Sequence, residues 1–202
     1  SVYATLVVDS SETKYITVVN TGQLDLYYSI SSFVKETKSS PTSYCSAMGG
    51  GDEYISRVQL GDIDNYSINN YYKDYTNLST TLEMGNTYTL TVTNGNGYNL
   101  DQCGVWIDWN QNGVFDEPMI EIHGNPGSGP YTAQISPPLG SKSGTTRMRI
   151  RIRYGGDLFP CGNTRYGEVE DYSVNVRSWM DITPLLDTVT PGDTSTIAVI
   201  FN

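Results

Sequence analysis

Positive charge is scarce in this sequence. Its 12 lysine and arginine residues stand against 22 aspartate and glutamate residues, which gives a formal net charge of −10. Binding to nucleic acid phosphates requires a basic surface, so this balance argues against a nucleic acid partner. Long apolar runs are also lacking, since no stretch approaches the roughly 18 residues of a membrane-spanning helix. We therefore expect neither nucleic acid binding nor membrane insertion.

Histidine and cysteine are rare as well. The single histidine, His123, and the absence of any Cys-x-x-Cys pair argue against a zinc site. Three cysteines allow at most one internal disulfide. Cys103 lies in the strand-like segment CGVWIDW, where a buried thiol behaves as a small hydrophobic group, whereas Cys45 and Cys161 lie in loop-like segments. We predict a Cys45–Cys161 disulfide, with three reduced thiols as the alternative.

No segment sustains a helical period of apolar residues. Tyrosine, threonine, serine, asparagine and glycine are abundant, and alternating or β-branched runs recur between breaks such as NTGQ, NGNG, NPGSGP and TPGD. This composition favours strands and turns over helices. The pattern predicts an all-β fold made of two packed β-sandwich domains.

The two ends of the chain each supply strands that cannot bury a core alone. YITVVNTGQLDLYYSIS and SWMDITPLLDTVTPGDTSTIAVIFN resemble the first and second halves of the immunoglobulin-like repeats of large secreted bacterial proteins. We predict a discontinuous immunoglobulin-like sandwich, residues 1–34 and 178–202, with a second domain of residues 35–177 inserted. Two truncated domains that flank a middle domain are the alternative.

The middle of the chain carries five motifs in order: YCSAMGGGDEYISRVQLGDIDN, LEMGNTYTLTV, CGVWIDWNQNGVFDE, TTRMRIRIRY and PCGNTRYGEVEDYSVNV. Together they resemble the GEVED domain family over residues 44–176. The resemblance implies a secreted, non-catalytic β-sandwich module attached to an extracellular protease, another hydrolase or an adhesin. We accordingly expect a monomeric, extracellular fragment of a larger processed protein, linked covalently to neighbouring domains. A shared fold does not identify the ligand.

The segment DWNQNGVFDE spaces oxygen donors as a calcium loop does. Donors occupy positions 1, 3, 5, 7 and 9, and Gly113 occupies the turn position 6. The glutamate expected at position 12 is replaced by Met119. Calcium takes about six to eight oxygens, so a distant acid, Glu121 or water must complete the shell of the predicted Ca²⁺ site; a plain Asx-rich turn is the alternative. The predicted ligands in the loop are Asp108, Asn110, Asn112, the Val114 carbonyl, Asp116 and Glu117.

The GEVED motif itself adds two candidate ligands. Strand alternation places Glu168 and Glu170 on the core-facing side of their strand. Buried carboxylates need a cation or strong hydrogen-bond donors. We predict an arginine partner for at least one glutamate and metal ligation for the other. The arginines come from TTRMRIRIRY, which places four of the chain's seven on one face: Arg147, Arg149, Arg151 and Arg153.

The segment NYSINNYYKDYTN mixes tyrosines with amides, which suits a sugar-binding surface. The arginine face could hold sulfate or carboxylate groups. We therefore predict a non-catalytic module that binds extracellular polysaccharide, including anionic or sulfated forms. The predicted ligand-binding residues are Tyr66, Tyr71, Tyr72 and Tyr75 with the four arginines.

Three alternatives to this binding function stay open. The tyrosines could pack on a half-wet sheet while the arginines neutralise acidic strands. The module could be a structural spacer with no ligand beyond calcium. A glycan hydrolase that uses the paired carboxylates is a remote third option, since no nucleophile motif accompanies His123.

Overall fold

The structure of the protein, a computed structural model, describes most of the chain. The described residues are 12–29, 43–116, 118–122, 129–139, 141–178, 180–184 and 186–201. Within these ranges the regular elements are strands, which confirms the all-β prediction. The same ranges hold no helix long and apolar enough to cross a membrane. His123 and Glu117 lie outside the described residues.

Sixteen strands follow one another along the chain. In order they are β1 (Glu12–Val19), β2 (Leu26–Ser29), β3 (Ala47–Met48), β4 (Ile55–Leu60), β5 (Ile63–Tyr66), β6 (Tyr72–Glu83), β7 (Tyr88–Asn94), β8 (Asp101–Ile107), β9 (Ile120–Glu121), β10 (Tyr131–Ile135), β11 (Gly144–Tyr154), β12 (Gly162–Asn163), β13 (Glu168–Arg177), β14 (Met180–Thr183), β15 (Leu186–Val189) and β16 (Thr194–Phe201). They divide between two compact units, one formed by Ser1–Lys35 with Ser178–Asn202 and the other by Glu36–Arg177. The predicted domain junctions lie within one residue of this division.

The discontinuous unit pairs the two ends of the chain. β1 and β14 flank β16 in one sheet, and β2 pairs with β15 in another, all antiparallel. Ile197 and Val199 are buried between them, and Val18 and Tyr28 pack against this small core. Each sheet combines strands from both ends, so neither end completes it alone. The immunoglobulin-like identity of this unit stays a prediction.

The inserted unit is built on two larger sheets. One has the order β10-β7-β4-β5 and the other β6-β13-β11-β8-β9. β6 runs parallel to β13, whereas β11 runs antiparallel to both of its neighbours, β13 and β8. A two-stranded parallel ladder, β3 with β12, lies outside both sheets.

Strand alternation builds the core of the inserted unit. The side chains that point inward from the two sheets form one buried cluster, which includes Val58, Leu90, Val105, Ile150 and Val174. These positions are β-branched or leucine, which fill a pleated interface well. The five-stranded sheet therefore has a core face, toward the second sheet, and an outer face.

Two loops cover the outer face of the five-stranded sheet. A disulfide joins them, because Cys45 and Cys161 are bonded with a Cα–Cα distance of 5.6 Å. This confirms the predicted pairing. Cys103 is a free thiol. It is buried in the core cluster, as its strand pattern predicted. We call residues 43–50 and 157–163 the disulfide loops below.

Candidate functional site

The Asp108 loop begins where β8 ends. The Asp108 carboxylate is 0% exposed. It accepts hydrogen bonds from the Tyr44 hydroxyl (2.7 Å) and from the backbone N–H groups of Asn112 (3.1 Å) and Gly113 (2.9 Å). Gly113 has φ of +80°, a conformation that glycine adopts without strain. Asp108 thus holds the loop in place by accepting hydrogen bonds from the loop's own backbone.

The next polar side chains of the loop converge on Asp116. The side-chain oxygens of Asn110 and Asn112 accept the backbone N–H groups of Asn112 (2.9 Å) and Val114 (2.8 Å). Their amide nitrogens donate to the two Asp116 oxygens at 3.3 and 2.9 Å. The donor set has the hard oxygens that calcium prefers. Ligation would require both amides to rotate, so that oxygen rather than nitrogen faces the ion.

Glu168 and Glu170 cannot complete this shell. Register places Glu168 beside Ile152, whereas Asp108 lies beside Arg147. Five residues of strand separate the two rows, or roughly 17 Å. The glutamates also face the core, while Asp108 contacts Tyr44 of a disulfide loop on the outer face. The prediction that either glutamate ligates the Asp108-loop metal is therefore wrong. Among the described residues no three His, Cys, Asp or Glu side chains cluster as a metal site.

The GEVED glutamates have protein partners other than arginine. Glu168 accepts the backbone N–H groups of Ile55 (2.8 Å) and Asn70 (2.7 Å), which ties β4 and the segment before β6 to β13. Glu170 accepts the Tyr172 hydroxyl at 2.8 Å, and its other oxygen has no hydrogen-bond partner among the described residues. The predicted Glu–Arg pair is wrong, because both glutamates lie on the face opposite to the arginines.

Asp171 is the acid that the arginines bind. It lies opposite Arg149 in the β11–β13 register, on the outer face. Arg149 donates Nε and Nη2 to the two Asp171 oxygens at 2.7 and 2.8 Å, and Arg147 approaches at 3.4 Å. Arg149 and Asp171 are both buried. The buried charge is thus neutralised by a bidentate ion pair.

Two arginines of β11 hold the disulfide loops in place through hydrogen bonds to loop carbonyls. Arg149 also donates to the carbonyls of Cys45 (2.9 Å) and Pro160 (2.8 Å). Arg151 donates to the carbonyls of Phe159 (2.6 Å) and Gly162 (2.5 Å). Both arginines are 1% exposed. The prediction that Arg149 and Arg151 bind a ligand is wrong, because both are buried and donate to Asp171 or to carbonyls of the disulfide loops.

The outer two arginines are less enclosed. Arg147 stacks over the Tyr44 ring, 4.6 Å from its centroid, and lines a small cleft of about 270 Å³ with threonine and serine side chains. Its charge is offset by Asp171. Arg153 is half-buried and donates to the Asp157 carbonyl. Neither residue forms an open cationic surface.

The four predicted tyrosines divide into two pairs. Tyr66 is 70% exposed and carries the Arg57 guanidinium over its ring, while Tyr71 is 48% exposed. Tyr72 donates to Asp171 at 3.2 Å, and Tyr75 stacks on Tyr172 at 5.6 Å between centroids. The structure therefore uses Tyr72 and Tyr75 for packing and leaves Tyr66 and Tyr71 accessible to a ligand.

A cleft that the sequence did not reveal lies at the other end of β8 from the Asp108 loop. Its volume is about 360 Å³, within the usual range of ligand sites. Tyr154 forms its centre, with Tyr98 on one side and Tyr166 on the other. Seven residues of β8 separate it from Asp108, or roughly 23 Å. We call it the tyrosine cleft; it is lined by Asp52, Glu53, Tyr98, Tyr154 and Tyr166.

Two carboxylates form the polar part of the tyrosine cleft. Asp52 accepts the Tyr98 hydroxyl (2.7 Å) and the Asn96 amide (2.8 Å). Glu53 is 2% exposed, and its Oε2 has no hydrogen-bond partner among the described residues. Neighbouring Asp52 also raises the pKa of the Tyr98 hydroxyl through its hydrogen bond. The cleft therefore combines aromatic rings with negative charge.

The titration of Glu170 gives a first prediction. Burial raises the pKa of Glu170 from 4.5 to about 7, and Glu168 adds to the rise, while the hydrogen bond from Tyr172 opposes it. The folded state thus holds this proton more tightly than the unfolded chain. The resulting stabilisation is complete below about pH 4.5 and disappears as the pH rises through 7, by up to about 1.4 kcal/mol per pH unit.

Glu170→Gln tests this dependence. Glutamine cannot ionise, so the variant should gain stability relative to the wild type as the pH rises from 5 to 8. Urea denaturation at both pH values measures the difference. Glu83→Gln, at a half-exposed position, serves as the matched control and should follow the wild type at both pH values. Parallel curves for Glu170→Gln and the wild type would contradict the prediction.

Comparison with known proteins supports the family resemblance in the inserted unit. The GEVED domain family matches residues 102–175. This is a shorter segment than the predicted 44–176, and it contains most of β8, the Asp108 loop, β11 and most of β13. GEVED domains are accessory modules, so the match supports an accessory role for the inserted unit.

The other comparisons add little. No curated protein matches the chain. Among solved structures, the crystal structure of the CARDB domain of a Pyrococcus furiosus protein in complex with di-metal ions is similar at 14% identity, with a TM-score of 0.30. The similarity covers 61% of this chain and 89% of that one. A TM-score this low supports no inference about this chain.

Proposed function

We propose that the inserted unit is a non-catalytic, extracellular accessory module that binds polysaccharide through the tyrosine cleft. The observation that carries this proposal is the cleft itself, where three partly exposed tyrosines surround a volume of about 360 Å³. Aromatic rings provide apolar contact for sugar rings, and carboxylates accept hydrogen bonds from sugar hydroxyls. The Cys45–Cys161 disulfide supports an oxidising, extracellular location.

A second exposed surface borders the tyrosine cleft. Asn69 donates to the carbonyl of Gly51 at 3.1 Å, and Gly51 adjoins Glu53 and Tyr166. The segment that carries the exposed Ile68 and Tyr71 is therefore anchored at the cleft wall. A polysaccharide longer than the cleft would have further contact area along this segment.

The ligand we propose is neutral or cationic rather than anionic. Arg149 and Arg151, on which an anionic preference depended, are buried. The tyrosine cleft carries two carboxylates, and the chain has a net charge of −10. Like charges would oppose a sulfated or uronic acid polymer at this position.

Retention on insoluble glycans tests the proposal. We expect the wild type to be retained on at least one neutral or amine-bearing glycan, and Tyr154→Ala to lose retention by tenfold or more. Tyr27→Ala, an exposed tyrosine in the other unit, is the matched control and should bind as the wild type does. Passage of the wild type through every matrix would favour the spacer alternative, and release of soluble sugar would favour the hydrolase.

Calcium at the Asp108 loop is a second part of the proposal, and its role there is structural. The loop adjoins Tyr44, next to the disulfide, so an ion would stabilise the outer face rather than the distant tyrosine cleft. Mass action then predicts a gain of about 2.7 kcal/mol at about 100 times the dissociation constant. We expect calcium to raise the melting temperature without changing glycan retention.

Asp116→Asn tests the calcium site at an exposed position. The variant should melt like the metal-free wild type and show no response to calcium. Asp62→Asn, which is also exposed, should respond as the wild type does. Identical wild-type melting curves in calcium and in chelator would leave the loop as an Asx-rich turn.

A further inference from the structure

Neighbouring rings of the tyrosine cleft are inclined steeply to each other. Tyr98 and Tyr154 are inclined by 88° with centroids 6.1 Å apart, and Tyr154 and Tyr166 are inclined by 73° at the same distance. A sugar ring can contact the face of one of these rings. Rings at near right angles also surround a compact group, which is how aromatic side chains enclose ammonium cations.

The charge of the tyrosine cleft fits such a cation. Asp52 and Glu53 line it, and no ion pair among the described residues involves either carboxylate. One cationic group, Arg165, lies over the Tyr166 ring at 5.3 Å from the centroid. Two carboxylates without a paired cation, beside three electron-rich rings, attract positive charge.

The unpartnered oxygen of Glu53 specifies the kind of cation. A buried carboxylate oxygen without a donor is costly to the protein. A protonated primary amine has three N–H donors and can satisfy it, whereas a quaternary ammonium has none. The oxygen lies beside the aromatic wall, because a Cβ atom placed on Gly51 would fall 2.7 Å from Glu53 Oε2 and 2.8 Å from Tyr166 Cδ1.

We propose that the tyrosine cleft selects a protonated primary amine, so that the polysaccharide is one built from amino sugars with free amino groups. This inference rests on the proposed function, which places the glycan in this cleft. Glu53 accepts from the ammonium, the tyrosine rings contact its charged face, and Asp52 adds negative charge at the rim. Acetylation of the amine would remove both the charge and two of the N–H donors.

Calorimetry with a glucosamine hexamer and an N-acetylglucosamine hexamer tests the inference on the unmodified protein at pH 6. We expect the glucosamine hexamer to bind at least tenfold more tightly. Glucosamine should compete with the hexamer, and tetramethylammonium should not. Equal binding of the two hexamers, or competition by tetramethylammonium as effective as by glucosamine, would overturn the amine selectivity while leaving glycan binding in place. No binding of either hexamer or of any other glycan would instead remove the proposed function.

A matched pair of variants separates the cleft from general attraction between an acidic protein and a cationic polymer. Glu53→Gln should weaken glucosamine hexamer binding at least tenfold and remove most of the preference for the glucosamine hexamer over the N-acetylglucosamine hexamer. Glu83→Gln, which removes the same charge from a distant strand, should leave both unchanged. Equal weakening by the two variants would overturn the inference. A melting temperature for Glu53→Gln at or above that of the wild type verifies that the variant is folded.

Discussion

Asp171→Ala is expected to lower the free energy of unfolding by about 3–5 kcal/mol. The substitution leaves the Arg149 guanidinium buried without its counter-charge, at 1% exposure. It also removes the acceptor of the Tyr72 hydroxyl. Chemical denaturation at neutral pH measures the loss. A change below about 1 kcal/mol would show that solvent or another group compensates the arginine.

Burial is the variable that this experiment isolates. Arg57 and Asp64 form a bidentate pair of similar geometry, at 2.7 and 2.6 Å, but on the surface. Asp64→Ala should therefore change the denaturation midpoint little, because solvent screens the pair. Arg149→Met alone and combined with Asp171→Ala completes a double-mutant cycle. We expect the double variant to be more stable than the sum of the single losses implies, since it buries no unpaired charge.

Loss of the Cys45–Cys161 disulfide is expected to cost about 2–5 kcal/mol. The bond closes a loop of 116 residues in the unfolded chain, a long span for which the entropic model predicts a large effect. It also holds together the two loops whose carbonyls accept from Arg149 and Arg151. Reduction should therefore loosen the outer face as well as enlarge the unfolded ensemble.

Melting with and without reductant measures this effect, and mass spectrometry after alkylation reports which thiols are released. Cys45→Ala with Cys161→Ala should reproduce the reduced wild type and should not respond to reductant. Cys103 should stay unlabelled in the native state, because burial and the nearby Glu170 raise the pKa of its thiol. A melting temperature unchanged by reduction would contradict the bracing role of the disulfide.

The sequence could predict features that depend on local pattern. Alternation in TTRMRIRIRY places Met148, Ile150 and Ile152 in the core, as the structure shows. The loop positions of Cys45 and Cys161 led to the correct disulfide. These inferences needed only the two-residue period of a strand and the composition of the flanking segments.

Which acid each arginine binds could not be predicted in the same way. Arg149 binds Asp171 because the β11–β13 register places them opposite each other, and a shift of one residue would have placed a glutamate there. The sequence pattern does not reveal that register. The tyrosine cleft illustrates the same limit, since Glu53, Tyr98 and Tyr166 come together only through the sheet topology.

The pairing of the chain's two ends has a mechanical consequence. Glu12 lies opposite Phe201, so the two residues occupy the same end of the β1–β16 ladder. Tension applied between them would peel the ladder open one hydrogen-bonded pair at a time, at low force, instead of shearing it as a block. The segment Glu36–Arg177 lies within the loop that this ladder and the β2–β15 pair close. Pulling force would reach it only after both pairings had parted, so the discontinuous unit would unfold before the inserted unit.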